Sequence, residues 1–190
     1  QQWQRALSLL SGMVETKLEP TVISYSAGIS ACKTDGQWQQ ALLLLSAMWE
    51  ANIEPDVISY SAAISACGKG DKWQQALSLL SVMSEAKVAP TVISYSAGIS
   101  ACKTDGQWQQ ALLLLSAMWE ANIEPDVISY SAAISACGKG DKWQQALSLL
   151  VEMREVTLEP NTISYNAGIV ACGKEGQWQR ALSLLSETRE

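Results

Sequence analysis

The 190-residue sequence contains no histidine and no phenylalanine, with only five prolines and five cysteines. Without histidine there is no side chain that titrates near neutral pH and no imidazole to complete a zinc site. Cys32, Cys67, Cys102, Cys137 and Cys172 form no Cys-x-x-Cys pair, so they read as small core residues, and the lack of a disulfide framework favours a reducing compartment. No nucleophile stands beside a paired base and no Gly-rich loop is present to cradle phosphate, so neither an enzyme nor a cofactor or small-molecule site is expected. Basic residues are scarce: 13 Lys and Arg against 19 Asp and Glu leave a net charge of -6. That balance argues against a generally basic nucleic-acid binder, because neutralising phosphates supplies most non-specific affinity. Long hydrophobic runs are missing as well. The longest, Ala41 to Leu45, falls far short of the roughly 18 residues of a membrane span, so no membrane partner is expected. The sequence starts at Gln1, inside a repeat, with no signal or transit segment to give an address.

What is present is a single period. DVISYSAAISAC at Asp56 returns at Asp126, with TVISYSAGISAC at Thr21 and Thr91 and NTISYNAGIVAC at Asn161, each copy 35 residues from the next. A fixed period of about 20 to 50 residues marks a solenoid, in which each repeat buries its apolar face by stacking on neighbours. Residues 1–21 are the second half of a repeat. Four full repeats follow at 22–56, 57–91, 92–126 and 127–161, and a fifth, 162–190, stops short, so that one continuous solenoid with cut ends is expected over 1–190. Residues 20–80 are identical to 90–150, as if a pair of repeats had been copied whole, by duplication or by deliberate assembly.

Each repeat reads as helix, turn, helix, turn. In the first helix Val57, Tyr60, Ile64 and Cys67 share a stripe at i, i+3, i+7 and i+10, while Ala62, Ala63 and Ala66 make a second, small-residue side. Asp56 is a good N-cap, and Pro55 keeps Glu54 out of helical geometry; Thr21, Thr91, Asp126 and Asn161 are the matching caps. Lys33 to Gly36 and Gly68 to Asp71 are expected to break the first helix. The second begins near Trp38 and turns Trp38, Ala41, Leu42, Leu45 and Met48 toward the first. Asn52, which tolerates a left-handed backbone, ends it, with Ile53 packing back on the last turn; Lys17, Lys87 and Thr157 hold that place elsewhere. About eleven helices result, each too short to be stable alone.

The 35-residue period, the VISYSAxISAC helix, the Gly-Lys turn, the QWQQALxLL helix and the closing xPD or xPN resemble pentatricopeptide repeats over essentially the whole chain. The tetratricopeptide pattern, with a period of about 34, fits worse. The resemblance implies an all-α, right-handed superhelical solenoid of helix-turn-helix repeats, whose first helices line a concave groove for single-stranded RNA, one base per repeat. It also implies that two side chains read each base: the residue after the tyrosine and the last residue of the repeat. Those pairs are Ser26 with Asp56, Ser61 with Thr91, Ser96 with Asp126 and Ser131 with Asn161, followed by Asn166 alone. In the family a hydroxyl at the first place goes with purines and asparagine with pyrimidines, while terminal Asp favours G or U and terminal Asn favours A or C. The implied target is G, purine, G, A, pyrimidine. Ile23, Ile58, Ile93, Ile128 and Ile163 are placed to wedge the bases, and Lys69, Lys139 and Lys174 match a phosphate-contacting place. Thr34 and Thr104 stand there in the other repeats, with Lys33 and Lys103 one residue earlier.

Each of these residues has a plainer role open to it. The terminal Asp, Asn and Thr residues are accounted for as N-caps contributing about 1 kcal/mol each. The serines fit solvated polar positions, the isoleucines ordinary inter-repeat core and the lysines solvated turns. Trp3, Trp38, Trp73, Trp108, Trp143 and Trp178 fit core packing better than base stacking, whereas Trp49 and Trp119 fit a partly exposed outer partner site. Glu50, Glu54, Glu85, Glu120, Glu124, Glu155 and Glu159 gather where second helices end, which would keep acid away from the groove. The functional expectation is sequence-selective binding of single-stranded RNA, by blocking or presenting a site rather than by chemistry. The resemblance places such work in a mitochondrion or chloroplast. The alternatives are a protein partner, with a peptide held in the groove, and a piece of a larger protein with a further domain.

Overall fold

The computed structural model describes residues 2–174 and 176–187, and among them all regular structure is helical. Eleven helices follow one another: α1 (Gln2–Glu15), α2 (Val22–Thr34), α3 (Trp38–Glu50), α4 (Val57–Lys69), α5 (Trp73–Glu85), α6 (Val92–Cys102), α7 (Trp108–Glu120), α8 (Val127–Lys139), α9 (Trp143–Glu155), α10 (Thr162–Lys174) and α11 (Trp178–Glu187). Among the described residues no helix is long and apolar enough to cross a membrane. Two compact units divide the chain, Gln1–Ala101 and Cys102–Glu190. In the first, α2 packs on α1, α3 and α4, and α4 packs on α3 and α5; in the second, α8 packs on α7, α9 and α10, and α10 on α9 and α11. Within each unit, therefore, first helices stack on first helices and second helices pack on them.

Both expected faces of the first helix α4 are buried except at Val57, which is half-buried in its first turn. Tyr60, Ile64 and Cys67 are fully enclosed, and so are Ala63 and Ala66, with Ala62 nearly so. All five thiols are free and buried. Loss of solvation pushes Cys67, Cys102 and Cys137 up to about 11, so they stay protonated and inert at neutral pH.

The second helix differs from expectation in one place. Its buried stripe is Ala41, Leu44, Leu45 and Met48, while Leu42 is half-buried. Leu44 takes that place because Gly28 of α2 has no side chain: a Cβ there would stand 3.2 Å from Leu44 Cδ1 and 2.9 Å from Leu10 Cδ1.

The helix ends are built alike. After α3, Ile53 N–H donates to Met48 O at 2.8 Å and Asn52 N–H to Trp49 O at 3.0 Å, a Schellman closure around the left-handed Asn52 (φ 54). Lys17, Lys87, Asn122 and Thr157 are left-handed at the same place. The first helices run further than the sequence pattern indicates. Gly68 lies inside α4, buried against Ala101, and the break comes at Gly70 and the left-handed Asp71 (φ 56). Gly36 and Gly106 hold the Asp71 place in other repeats. Gly70 is required for space: a Cβ would stand 2.4 Å from Trp38 Cδ1 and 3.0 Å from Gly36 O. Trp38 is thus wedged against the turn of the following repeat, with the Lys72 ammonium 5.6 Å from its ring centre.

Candidate nucleic-acid interface

A helix that buries two faces still leaves a third open, and its second residue lies there. Ile23, Ile58, Ile93, Ile128 and Ile163 are 77, 62, 66, 62 and 63 % exposed. They are therefore not inter-repeat core. A large aliphatic group in water at every repeat is a standing invitation to an apolar or planar partner. Three residues further along each helix the serines behave in the opposite way. Ser26, Ser61, Ser96 and Ser131 are buried to within 7 % of full enclosure, so they are not solvated positions, and each hydroxyl has partners in the protein.

Those partners include a residue that sequence reasoning passed over. Ser59, Ser94, Ser129 and Ser164, at the third position of their helices, are fully buried. Asp56 Oδ1 accepts from Ser59 N at 2.8 Å and from Ser59 Oγ at 2.7 Å, and Asp126 Oδ1 accepts the same pair from Ser129 at 2.8 and 2.7 Å. Asn161 Oδ1 accepts from Ser164 N and Oγ, both at 3.0 Å. The threonine caps reverse the direction: Ser94 Oγ accepts from Thr91 N at 3.2 Å, and Ser24 Oγ from Thr21 N at 3.3 Å. The same serines reach the preceding repeat. Ser59 Oγ is 2.8 Å from Ser26 Oγ, Ser94 Oγ 2.9 Å from Ser61 Oγ and Ser164 Oγ 2.7 Å from Ser131 Oγ. Three of the implied pairs, Ser26 with Asp56, Ser61 with Thr91 and Ser131 with Asn161, are thereby joined through a third side chain, and Ser26 Oγ stands 3.4 Å from Asp56 Oδ1 directly. A Ser, Thr, Asp or Asn cap followed three residues later by a hydrogen-bonding side chain is the signal that could have exposed these serines.

The lysines end the first helices rather than sitting in a turn. Lys139 Nζ donates to Thr104 O at 3.2 Å, and Lys174 Nζ donates to Lys139 O at 3.4 Å and to Asp141 Oδ1 at 3.1 Å. Each ammonium thus sits at the carbonyl end of the preceding first helix, where the helix dipole favours positive charge. Lys69 is exposed at the same place in α4. In the second unit these groups meet. A cleft of about 340 Å³ between α8 and α10 is lined by Lys103, Ser135, Lys139, Ile163, Asn166 and Val170, so one exposed isoleucine, the asparagine at the implied reading place and two cations share one concavity. Glu50, Glu54, Glu85, Glu120, Glu124, Glu155 and Glu159 are exposed at the ends of the second helices or just beyond them. Among the described residues no group of three His, Cys, Asp or Glu side chains is gathered to hold a metal.

The tryptophans of the repeat, from Trp3 to Trp143, are half-buried, and Trp178 is exposed. Trp49 and Trp119 are 48 and 42 % exposed beside the second-helix ends.

The family model described as a pentatricopeptide repeat domain matches residues 43–105, 99–140 and 113–175, and a second model, the PPR repeat, matches 163–190. No curated protein sequence matches the chain. Among solved structures, the pentatricopeptide repeat protein PPR10 from maize is 26% identical, with a TM-score of 0.79 over 98% of this chain and 27% of that one. PPR10 in complex with an 18-nt psaJ RNA element is 24% identical, with a TM-score of 0.77 over 99% of this chain and 31% of that one. The PPR domain of Arabidopsis thaliana protein-only RNase P 1 in complex with tRNA is 16% identical, with a TM-score of 0.71 over 85% of each chain. The chain thus spans under a third of the PPR10 chains it matches.

Proposed function

The chain belongs to the pentatricopeptide repeat family, and from that premise we propose that it binds single-stranded RNA sequence-selectively, one base per repeat. The observation that carries this reading is the recurrence of an exposed isoleucine with a reading residue three positions on, which in three of the repeats is joined to a terminal polar residue. An unstacked base can lie against the isoleucine while its edge meets the two polar side chains. The readers are Ser26 with Asp56, Ser61 with Thr91, Ser96 with Asp126, Ser131 with Asn161, and Asn166. They read G, purine, G, A, pyrimidine from 5′ to 3′. Ile23, Ile58, Ile93, Ile128 and Ile163 carry the bases; Lys69, Lys139 and Lys174 meet phosphates. PPR10 was solved with an RNA element, which supports the substrate class. Such an array acts by covering or presenting a stretch of transcript, in organellar RNA processing, stabilisation or translation.

The test is fluorescence anisotropy of labelled RNAs carrying GAGAC and GGGAC cores against a purine-to-pyrimidine scramble, at low and moderate salt. Selective binding with a shallow salt slope supports base reading. Asp126→Asn should then move the preference at the third base from G toward A, with little change in stability because both side chains cap a helix equally well. The net charge of -6 favours a competing reading, a peptide in the groove; no RNA binding at high micromolar protein, persisting when repeats of the same pattern are added, would overturn the RNA reading and point to that one.

A further inference from the structure

One base in the proposed target is fixed only as a purine, the one facing Ser61 and Thr91. We infer that the buried third-position serine of the following repeat sets which way the reading hydroxyl points its hydrogen, and that Ser94 thereby makes this base adenine. The inference rests on the base-per-repeat reading above.

A serine hydroxyl has one hydrogen to give, whereas carboxylate, amide and carbonyl oxygens only accept. In the first repeat Ser59 Oγ lies 2.7 Å from Asp56 Oδ1, so its hydrogen goes there and it can only accept from Ser26 Oγ at 2.8 Å. Ser26 Oγ is also 2.7 Å from the Val22 carbonyl. Whichever of the two it serves, its hydrogen stays within the protein, and toward a base it offers lone pairs. Asp56 likewise only accepts. Two acceptors then face the base, which matches the N1–H and N2–H of guanine.

The fourth repeat keeps this direction. Ser164 Oγ donates to Asn161 Oδ1 at 3.0 Å, and Ser131 Oγ lies 2.7 Å from Ser164 Oγ and 2.6 Å from the Val127 carbonyl. Asn161 has its oxygen turned inward, which leaves its amide hydrogens to donate. One acceptor and one donor suit the N6–H and N1 of adenine.

The second repeat is wired the other way. Ser94 Oγ receives the Thr91 N–H at 3.2 Å, and its own hydrogen has Ser61 Oγ at 2.9 Å as a closer acceptor than Thr91 Oγ1 at 3.4 Å. A Ser61 that accepts from Ser94 keeps its hydrogen for the base. Adenine N1 accepts it, whereas guanine N1–H would meet it donor against donor.

The experiment compares GAGAC and GGGAC RNAs by anisotropy with the full chain. The wild type should hold GAGAC about tenfold tighter. Thr91→Asp rebuilds the network of the first repeat and should reverse the preference. Ser94→Ala leaves both reading side chains in place and should bring the two RNAs within about twofold, and Ser94→Thr, which retains the hydroxyl, should restore the difference. A purely structural role for Ser94 would weaken both RNAs alike and leave their ratio unchanged. A wild-type preference for GGGAC, an unchanged ratio in Ser94→Ala, or no reversal in Thr91→Asp overturns the inference. Equal binding of both RNAs and the scramble by the wild type removes the base-reading proposal itself.

Discussion

Tyr60 and Tyr130 hold the same place in two copies of one repeat and differ in what their hydroxyls meet. Both are fully buried. Tyr130 donates to Glu152 Oε1 at 2.7 Å, whereas Tyr60 has no hydrogen-bond partner, because Val82 stands where Glu152 would be. Burial raises both phenols; the Glu152 carboxylate raises Tyr130 further, and the Trp49 indole lowers Tyr60 slightly without reaching hydrogen-bond geometry. A buried polar group left unpaired costs about 1–3 kcal/mol. Val82→Glu should therefore stabilise the protein by about 1 kcal/mol, seen as a melting temperature about 2–4 °C higher. An unchanged melting temperature would mean that Tyr60 is already satisfied. The resemblance singled out the serine and isoleucine positions without giving their environments. Ser61 and Ile58 sit three residues apart in one helix, yet one is enclosed and the other open, because Ser61 lies against the next first helix and Ile58 on the face that no helix covers among the described residues.

At the scale of the element, one glycine position separates packing from propensity. Gly68, Gly138 and Gly173 share a register inside first helices. A Cβ on Gly68 would stand 3.1 Å from Ala101 Cβ and 3.2 Å from its Cα, and one on Gly138 3.2 Å from Ala171 Cβ; on Gly173 it would meet nothing within 4 Å. Gly173→Ala should then stabilise by about 0.5–1 kcal/mol through helix propensity. Gly68→Ala, pressed against the backbone of the next first helix, should destabilise instead, by about 1–3 kcal/mol. Thermal melts of the two variants decide the point; equal shifts of one sign would deny the close approach. Sequence alone read Gly68 as a helix breaker, since a glycine tolerated for close packing and one needed for a turn look identical in a single repeat. The helix ends at Asn52 were legible because asparagine suits a left-handed backbone. Asp71 adopts the same conformation beside a glycine that is needed for space, and nothing local distinguishes those two roles.

Across the whole molecule the period made the helix count and order legible, since every repeat solves the same burial problem. It left open which side chains remain outside, and the exposed isoleucines answer that. Replacing Ile23, Ile58, Ile93 and Ile128 together by alanine should leave the melting temperature nearly unchanged, as their side chains are already largely in water. The affinity for every RNA should fall by at least about tenfold. Unaltered affinity would remove them from the interface. In the proposed interface the lysines would bear on the same affinity through conformational entropy. Fixing a lysine side chain costs up to about 2 kcal/mol. Lys139 and Lys174 are already tethered to carbonyls of the preceding repeat when the chain is folded, and an ammonium has three hydrogens, so each retains donors to offer. In the proposed interface a phosphate arriving there would meet a cation whose freedom was surrendered during folding, leaving little further ordering to the binding step.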